Sequence, residues 1–388
     1  MAAPAKNSKT AALYIHIPFC TKRCDYCDFY TVANQEHIIP SYLAALETEI
    51  GHYAATPPWQ IQHFSTIYFG GGTPSLLTPP QVQHIIKTLK RVFTFTDDTE
   101  VTFEVNPGSA TQENMHGYVD AGVNRLSIGA QSFLPKELQQ LDRVHSVDET
   151  IATVESVRGA GIGNLSIDLI FALPGQRPSN WRYSLERALE LQPEHISAYN
   201  LTIEQGTPLQ RSVAAGKVYP MSEGRQRLFY NHTIGFLEQH GYSHYEVSNY
   251  AKPGFESRHN SKYWDGSFYL GLGASAHSFD GRRRYWNVRS FAQYIKQLKH
   301  AQLPVAGEEM LTKPQREFET IMLGLRQKSG IDVRDFEREY EIDFQSKYRN
   351  QLTKLTSHVP PLIRWHESRL VLTREGWLLC DAVCAEFV

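Results

Sequence analysis

Apolar residues recur along the first half of the chain in two alternating periods. Short β-rich runs at Leu13–Ile17, Thr66–Phe69, Val101–Val105, Arg125–Ile128, Leu165–Phe171 and Ile196–Asn200 predict strands. Between them, segments of helical period predict helices around Tyr42–Tyr53, Pro80–Phe93, Gln112–Ala121, Asp148–Gly159 and Asn180–Leu191. The second of these has the clearest start: Thr78, prolines at the first helical positions, then Val82, Ile85, Ile86 and Leu89 on one face. This alternation predicts an α/β fold with a parallel sheet curled into a full or partial barrel.

The unusual residues all follow the predicted strands. Pro18-Phe19-Cys20 follows the first, Gly70-Gly71-Gly72-Thr73-Pro74 the second and Asn106-Pro107 the third. Gly129-Ala130-Gln131 and Leu173-Pro174-Gly175 follow the next two. Ligands of parallel α/β folds bind at the carboxyl ends of strands, so these loops are expected to face one site.

Beyond about residue 215 the rhythm changes. Tyr242–Trp286 is dense in Tyr, His, Gly and Trp, and helical patterning resumes at Gln315–Leu325 and Val333–Tyr340. A hairpin at Leu362–Trp365 and Leu370–Leu372 and a last helix complete the pattern. The expected organisation is a tail over 1–11, a barrel over 12–215, a mixed segment completing it over 216–304 and a helix-plus-hairpin domain over 305–388.

Composition narrows the function classes. The chain has 388 residues, 41% hydrophobic and 21% charged, with 39 Lys+Arg against 41 Asp+Glu. A net charge of −2 argues against a broad nucleic-acid surface, which needs excess cationic charge. No apolar run is long enough to span a bilayer, and His16 interrupts the amino-terminal one, so neither a membrane span nor a signal peptide is expected. Five cysteines crowd into Cys20, Cys24 and Cys27 and into Cys380 and Cys384, which points to a reducing, cytoplasmic setting rather than a disulfide framework.

Cys20-Thr21-Lys22-Arg23-Cys24-Asp25-Tyr26-Cys27 is the strongest chemical signal. Three thiolates from one loop suit a [4Fe–4S] cluster that leaves one iron open. Structural zinc normally takes four ligands, and His16 is badly placed to be the fourth. A redox pair or an incomplete zinc site remains the plainer alternative. Cys380 and Cys384 stand at helical i, i+4 spacing and read as a buried thiol pair on a terminal helix.

The Cys-x3-Cys-x-aromatic-Cys loop after a first strand resembles that of radical S-adenosylmethionine (SAM) proteins. The resemblance extends through Tyr14-x-His16-Ile17-Pro18-Phe19-Cys20, the Gly70–Pro74 run and Glu104-Val105-Asn106-Pro107. Gly129-Ala130-Gln131-Ser132-Phe133, Leu141-Asp142-Arg143 and Ile167-Asp168-Leu169-Ile170 continue it toward the oxygen-independent coproporphyrinogen III oxidase group. It implies a radical SAM partial barrel in which Cys20, Cys24 and Cys27 hold a [4Fe–4S] cluster whose open iron chelates SAM, later cleaved to a 5′-deoxyadenosyl radical. It further implies Tyr14 and Tyr26 beside the cofactor, Gly71 at the methionyl amine and Glu104 at the ribose. Gly72, Thr73, Gln131, Arg143 and Asp168 match positions that hold a second SAM. For Glu104 a structural hydrogen bond, and for Arg143 with Asp168 an internal ion pair, are the plainer readings.

The oxidase pattern carries a fourth cysteine where this chain has Phe29. That puts coproporphyrinogen dehydrogenation in doubt and favours the haem-chaperone subgroup. His259-Asn260-Ser261-Lys262-Tyr263-Trp264 looks like that subgroup's haem-associated motif, which makes His259 the candidate haem ligand with Tyr263 and Trp264 along the porphyrin. His277 is a second candidate, or a neighbour of the SAM site. Arg282-Arg283-Arg284 reads as an exposed turn, with contact to haem propionates as the alternative. The implied function is delivery of haem to acceptor proteins such as respiratory or storage haemoproteins. The implied chain is compatible with a homodimer and with peripheral membrane association. A radical SAM oxidoreductase or methyltransferase acting on a porphyrin is the competing class, and sequence leaves open whether the chain is an enzyme.

Overall fold

The computed structural model describes residues 9–388 and is organised by a 12-stranded sheet. In chain order its strands are β1 (Ala11–Ile17), β2 (His63–Gly71), β3 (Thr94–Val105), β4 (Arg125–Gln131), β5 (Leu165–Phe171) and β6 (His195–Asn200). They are followed by β7 (Ser243–Glu246), β8 (Asn249–Ala251), β9 (Tyr269–Leu272), β10 (His277–Phe279), β11 (Arg283–Asn287) and β12 (Val305–Met310). The spatial order is β12-β11-β10-β9-β1-β2-β3-β4-β5-β6-β8-β7. β9 and β1 to β6 run parallel, and both ends of that set are extended by antiparallel strands. The edges β7 and β12 do not meet, so the barrel is partial.

The predicted strands are β1 to β6, each lengthened or matched, and the helices between them fall where the helical period placed them. Leu13, Ile15, Ile67, Phe69, Phe103, Leu126, Ile128 and Ile167 point outward into one core with helix residues such as Leu46, Ile50, Val82, Ile85 and Leu89. Because side chains alternate along a strand, Tyr14, Tyr68, Glu104, Ser127 and Asp168 face the interior instead. Thr78 closes a capping box with Gln81 at the helix Pro79–Val92.

Three expectations about organisation change. The tail, 1–11, lies outside the described residues up to position 8, and Ala11 already belongs to β1. The boundary at 305 moves, because Val305–Met310 pairs with β11 in the main sheet. Arg283 and Arg284 are strand residues rather than an exposed turn: they pair with Asp280, Glu308 and Glu319.

The carboxyl-terminal unit packs its helices, from Lys313–Leu325 onward, around a second core of Ile321, Leu325, Phe336, Phe344, Leu370 and Val383. The predicted hairpin is Ile363–His366 with Arg369–Leu372, joined by Ile331–Asp332. Its end is two short helices, Arg374–Leu378 and Cys380–Ala385, with both cysteines buried. Among the described residues no helix is long and apolar enough to cross a membrane.

Glu49 ties the first helix, Ile39–Ala54, to the loop after β9. It is fully buried and accepts from the Gly273 amide at 2.8 Å, Asn287 Nδ2 at 2.6 Å and the Tyr294 hydroxyl at 2.6 Å. Burial pushes its carboxyl from 4.5 up to about 7. A carboxyl with a raised folded-state value keeps a proton that the unfolded chain has lost. Its contribution is therefore full below 4.5 and is lost as pH rises to about 7. Urea unfolding of the wild type and Glu49→Gln at pH 5 and pH 8 should show the wild type losing up to about 3 kcal/mol more than the variant over that interval.

Candidate functional site

The loop after β1 leaves the sheet at Phe19–Cys20, which forms a short parallel ladder with Val32–Ala33. Cys20 is buried and Cys24 and Cys27 are half-buried, all three as free thiols. A turn closes between them, with the Cys27 amide donating to the Cys24 carbonyl at 3.2 Å. Burial raises the Cys20 thiol, and it pushes Cys27 up to about 11, with the neighbouring thiols opposing ionisation further. Such a trio ionises when a metal centre compensates its charge. Among the described residues no three His, Cys, Asp or Glu side chains are gathered as ligands of a single metal ion. The donor set, three soft thiols spread along one loop, suits ligands to separate irons of a cluster better than a zinc site.

Opposite the thiols lies the glycine turn after β2. Gly71 has φ +113°, and a Cβ there would stand 2.5 Å from the His16 ring. A Cβ on Gly72 would come within 2.6 Å of the Phe19 carbonyl. The turn is stitched to the thiol loop by Gly72 N donating to Ile17 O and Thr73 N to Phe19 O, each at 2.8 Å. Glu104 holds it from the side: the Tyr68 hydroxyl donates to Oε1 at 2.8 Å and the Gly71 amide to Oε2 at 3.2 Å. Burial raises the Glu104 carboxyl to about 7. Each carboxylate oxygen keeps a lone pair for a further donor.

These groups surround a cavity of about 610 Å³. Tyr26, Cys27, Gly71, Gly72, Thr73, Glu104, Gln131, Arg143 and Asp168 all line it, so the sequence-predicted SAM residues come together apart from Tyr14. Gln131 has φ +66° at a register shift in β4, which aims its amide inward. Asp168 accepts from Ser127 at 2.9 Å and Ser166 at 3.1 Å. Arg143 and Asp168 are not an ion pair. Arg143 instead donates to Asn106 Oδ1 at 2.7 Å, the Gly129 carbonyl at 3.1 Å and Cys24 Sγ at 3.6 Å. Asn106 was missed as a site residue: its proline neighbour marks a turn, and nothing local reveals its partners.

A second cavity of about 560 Å³ adjoins the first, and Asp28 and Phe29 line both. Phe29, in place of the fourth cysteine, is 66% exposed at this shared wall. Tyr14, Tyr30, Tyr263, Tyr269, His277, Trp286 and Arg289 form the remaining sides. His277 is exposed there, lies nearly parallel to Trp286 at 5.7 Å between ring centres, and has no side-chain hydrogen bond among the described residues. Burial of the ring, then Arg284, lowers its pKa.

His259, the expected haem ligand, lies in the core rather than in the second cavity. It is 1% exposed, with Nδ1 2.8 Å from Thr66 Oγ1 and Nε2 3.0 Å from the Tyr263 hydroxyl. Burial lowers it to about 3, so it is a neutral core imidazole with both nitrogens engaged. Of its motif partners, Tyr263 reaches the second cavity and Trp264 does not. His16 is likewise engaged, by the Tyr14 hydroxyl and the Tyr30 carbonyl.

Comparison with known proteins agrees with this geometry. The radical SAM superfamily model matches residues 14–188, and the HemN C-terminal domain model matches 311–379. The "Heme chaperone HemW" of Lactococcus lactis is 34% identical over 380 residues, covering 98% of this chain and 98% of that protein. That of Bacillus subtilis is 34% identical, covering 97% and 98%. The solved structure of coproporphyrinogen III oxidase (HemN) from Escherichia coli superposes with a TM-score of 0.84 at 27% identity, over 99% of this chain and 91% of that one. The two family models and the full-length relatives thus agree, and the chain belongs to the haem chaperone family of radical SAM proteins.

Proposed function

We propose that the protein carries haem in the second cavity, beside a [4Fe–4S] cluster and SAM in the first, and delivers it unchanged to acceptor haemoproteins of the cytoplasm. The observation that carries this reading is the pair of adjoining cavities with Phe29 in their common wall, on a chain whose full-length relatives are named haem chaperones. Cys20, Cys24 and Cys27 would hold the cluster, which when bound supplies one-electron reducing power next to SAM. Gly71 and Gly72 would present unshielded backbone to SAM, Glu104 would accept from its hydroxyls, and Tyr26 would pack near its adenine. Thr73, Gln131, Arg143 and Asp168 complete the pocket wall.

In the second cavity His277 would hold the haem iron through its imidazole. It offers an unengaged imidazole, flanked by Trp286, Tyr263, Tyr269 and Phe29, with Arg289 as the cation for a propionate. His259 serves by holding the Tyr263 hydroxyl. Acceptors in the respiratory or storage class and a cluster-dependent homodimer belong to the same reading.

The competing reading, a porphyrin oxidase, is favoured by the close likeness to coproporphyrinogen III oxidase. Phe29 opposes it, since a phenyl ring offers no thiol at that position. Anaerobically reconstituted protein should pass haem to an apo-haemoprotein and return the porphyrin unaltered. With SAM and reductant it should form no protoporphyrinogen from coproporphyrinogen III, and formation at an oxidase-like rate overturns the chaperone reading.

Serine at Cys20, Cys24 or Cys27 should abolish the broad visible absorption of the reconstituted cluster, whereas serine at Cys380 or Cys384 should leave iron content unchanged. For haem, His277→Ala should shift the Soret band and weaken binding at least tenfold. His259→Ala should retain the axial spectrum and lower protein stability by about 1–3 kcal/mol, because it leaves Thr66 and Tyr263 without partners. The reverse pattern returns the ligand assignment to His259.

A further inference from the structure

Two of the three thiols are joined by a continuous chain of side-chain hydrogen bonds. Thr73 Oγ1 donates to Cys20 Sγ at 3.4 Å and accepts from Asn106 Nδ2 at 2.8 Å. Asn106 Oδ1 accepts from Arg143 at 2.7 Å, and the same guanidinium donates to Cys24 Sγ at 3.6 Å. The links span β2, β3 and the segment after β4, so three strand ends converge on one metal-binding loop. Among the described residues no carboxylate forms an ion pair with Arg143, whose guanidinium donates to Cys24 Sγ, Asn106 Oδ1 and the Gly129 carbonyl. Asn106 links the two sulfur donors: its amide points Nδ2 at Thr73 and Oδ1 at Arg143.

We infer that Thr73, Asn106 and Arg143 act as a positioning relay that sets the reduction potential of the cluster. Adding an electron to an iron–sulfur cluster places negative charge on its sulfurs, and donors aimed at sulfur stabilise the reduced state more than the oxidised one. A guanidinium at hydrogen-bond distance adds a charge that water screens poorly in a closed pocket. Thr73 polarises Cys20 and Arg143 polarises Cys24, while Asn106 fixes both donors. Asn106 touches no sulfur itself, yet its loss frees both of its neighbours. Cys27 lies outside the relay, which makes the three iron sites inequivalent. The arrangement gives Arg143 a task at the thiols in addition to lining the cavity.

The inference rests on the cluster reading above, and iron analysis separates the two. The full chain, reconstituted anaerobically with iron and sulfide, is titrated electrochemically while the reduced cluster is followed by electron paramagnetic resonance. The wild type should bind about four irons per chain; absence of iron there defeats the cluster reading itself. Thr73→Val, Asn106→Leu and Arg143→Met should keep their iron but show lower midpoint potentials, with Arg143→Met lowest because it loses charge as well as donor. Thr73→Ser restores the hydroxyl and should restore the potential. If Thr73→Val and Arg143→Met bind four irons with potentials equal to the wild type, the relay is structural only and the inference falls. Thr73→Val removes one hydroxyl at constant shape, so it decides the matter even where Asn106→Leu loses the cluster.

Discussion

A parallel sheet covered by helices on one face must turn its other face inward, and here that face is polar. Tyr68, Glu104, Ser127, Asp168, Ser166, His195 and His259 lie along it, where water cannot satisfy most of them. Each is therefore paired with another: Thr66 with His259, Tyr68 with Glu104, Ser127 and Ser166 with Asp168, His195 with Ser166 and Tyr245. A polar group buried without a partner costs about 1–3 kcal/mol, so such a seam is rigid only when complete. Arg125, 2% exposed at the start of β4, supplies the positive charge that opposes the ionisation penalty of Glu104 and Asp168. At the carboxyl edge of the strands the seam opens into the cavity, which Tyr68, Glu104, Ser127 and Asp168 line while still paired.

That transition explains which parts of the site could be read from sequence. Strand parity and the residues just past each strand end are local properties. Cys20, Gly71, Glu104, Gln131 and Asp168 follow from them, and all but Cys20 line one cavity. Contacts between distant segments are not local. Glu49 looks like a surface residue of an amphipathic helix, yet its partners come from the loop after β9 and from Asn287 and Tyr294. His259 sits in a motif dense in haem-compatible residues, but its ring turns back toward β2 and meets Thr66. Of that motif Tyr263 reaches the second cavity, whereas His259 turns into the polar seam and His277 lines the cavity.

Phe29 gains its meaning from position rather than from the missing thiol. An exposed phenyl ring is poorly placed for stability, and here it forms part of the wall between a cavity lined by glycines and carboxylates and one lined by aromatic rings. A ligand in either cavity would cover it, and burying an aromatic side chain is worth about 2–3 kcal/mol. A ligand in either cavity would therefore meet the same side chain. The loop that carries Phe29 also carries the three thiols, so whatever settles the thiols also fixes the ring. The wall between the two cavities is thus built from the same loop that carries Cys20, Cys24 and Cys27.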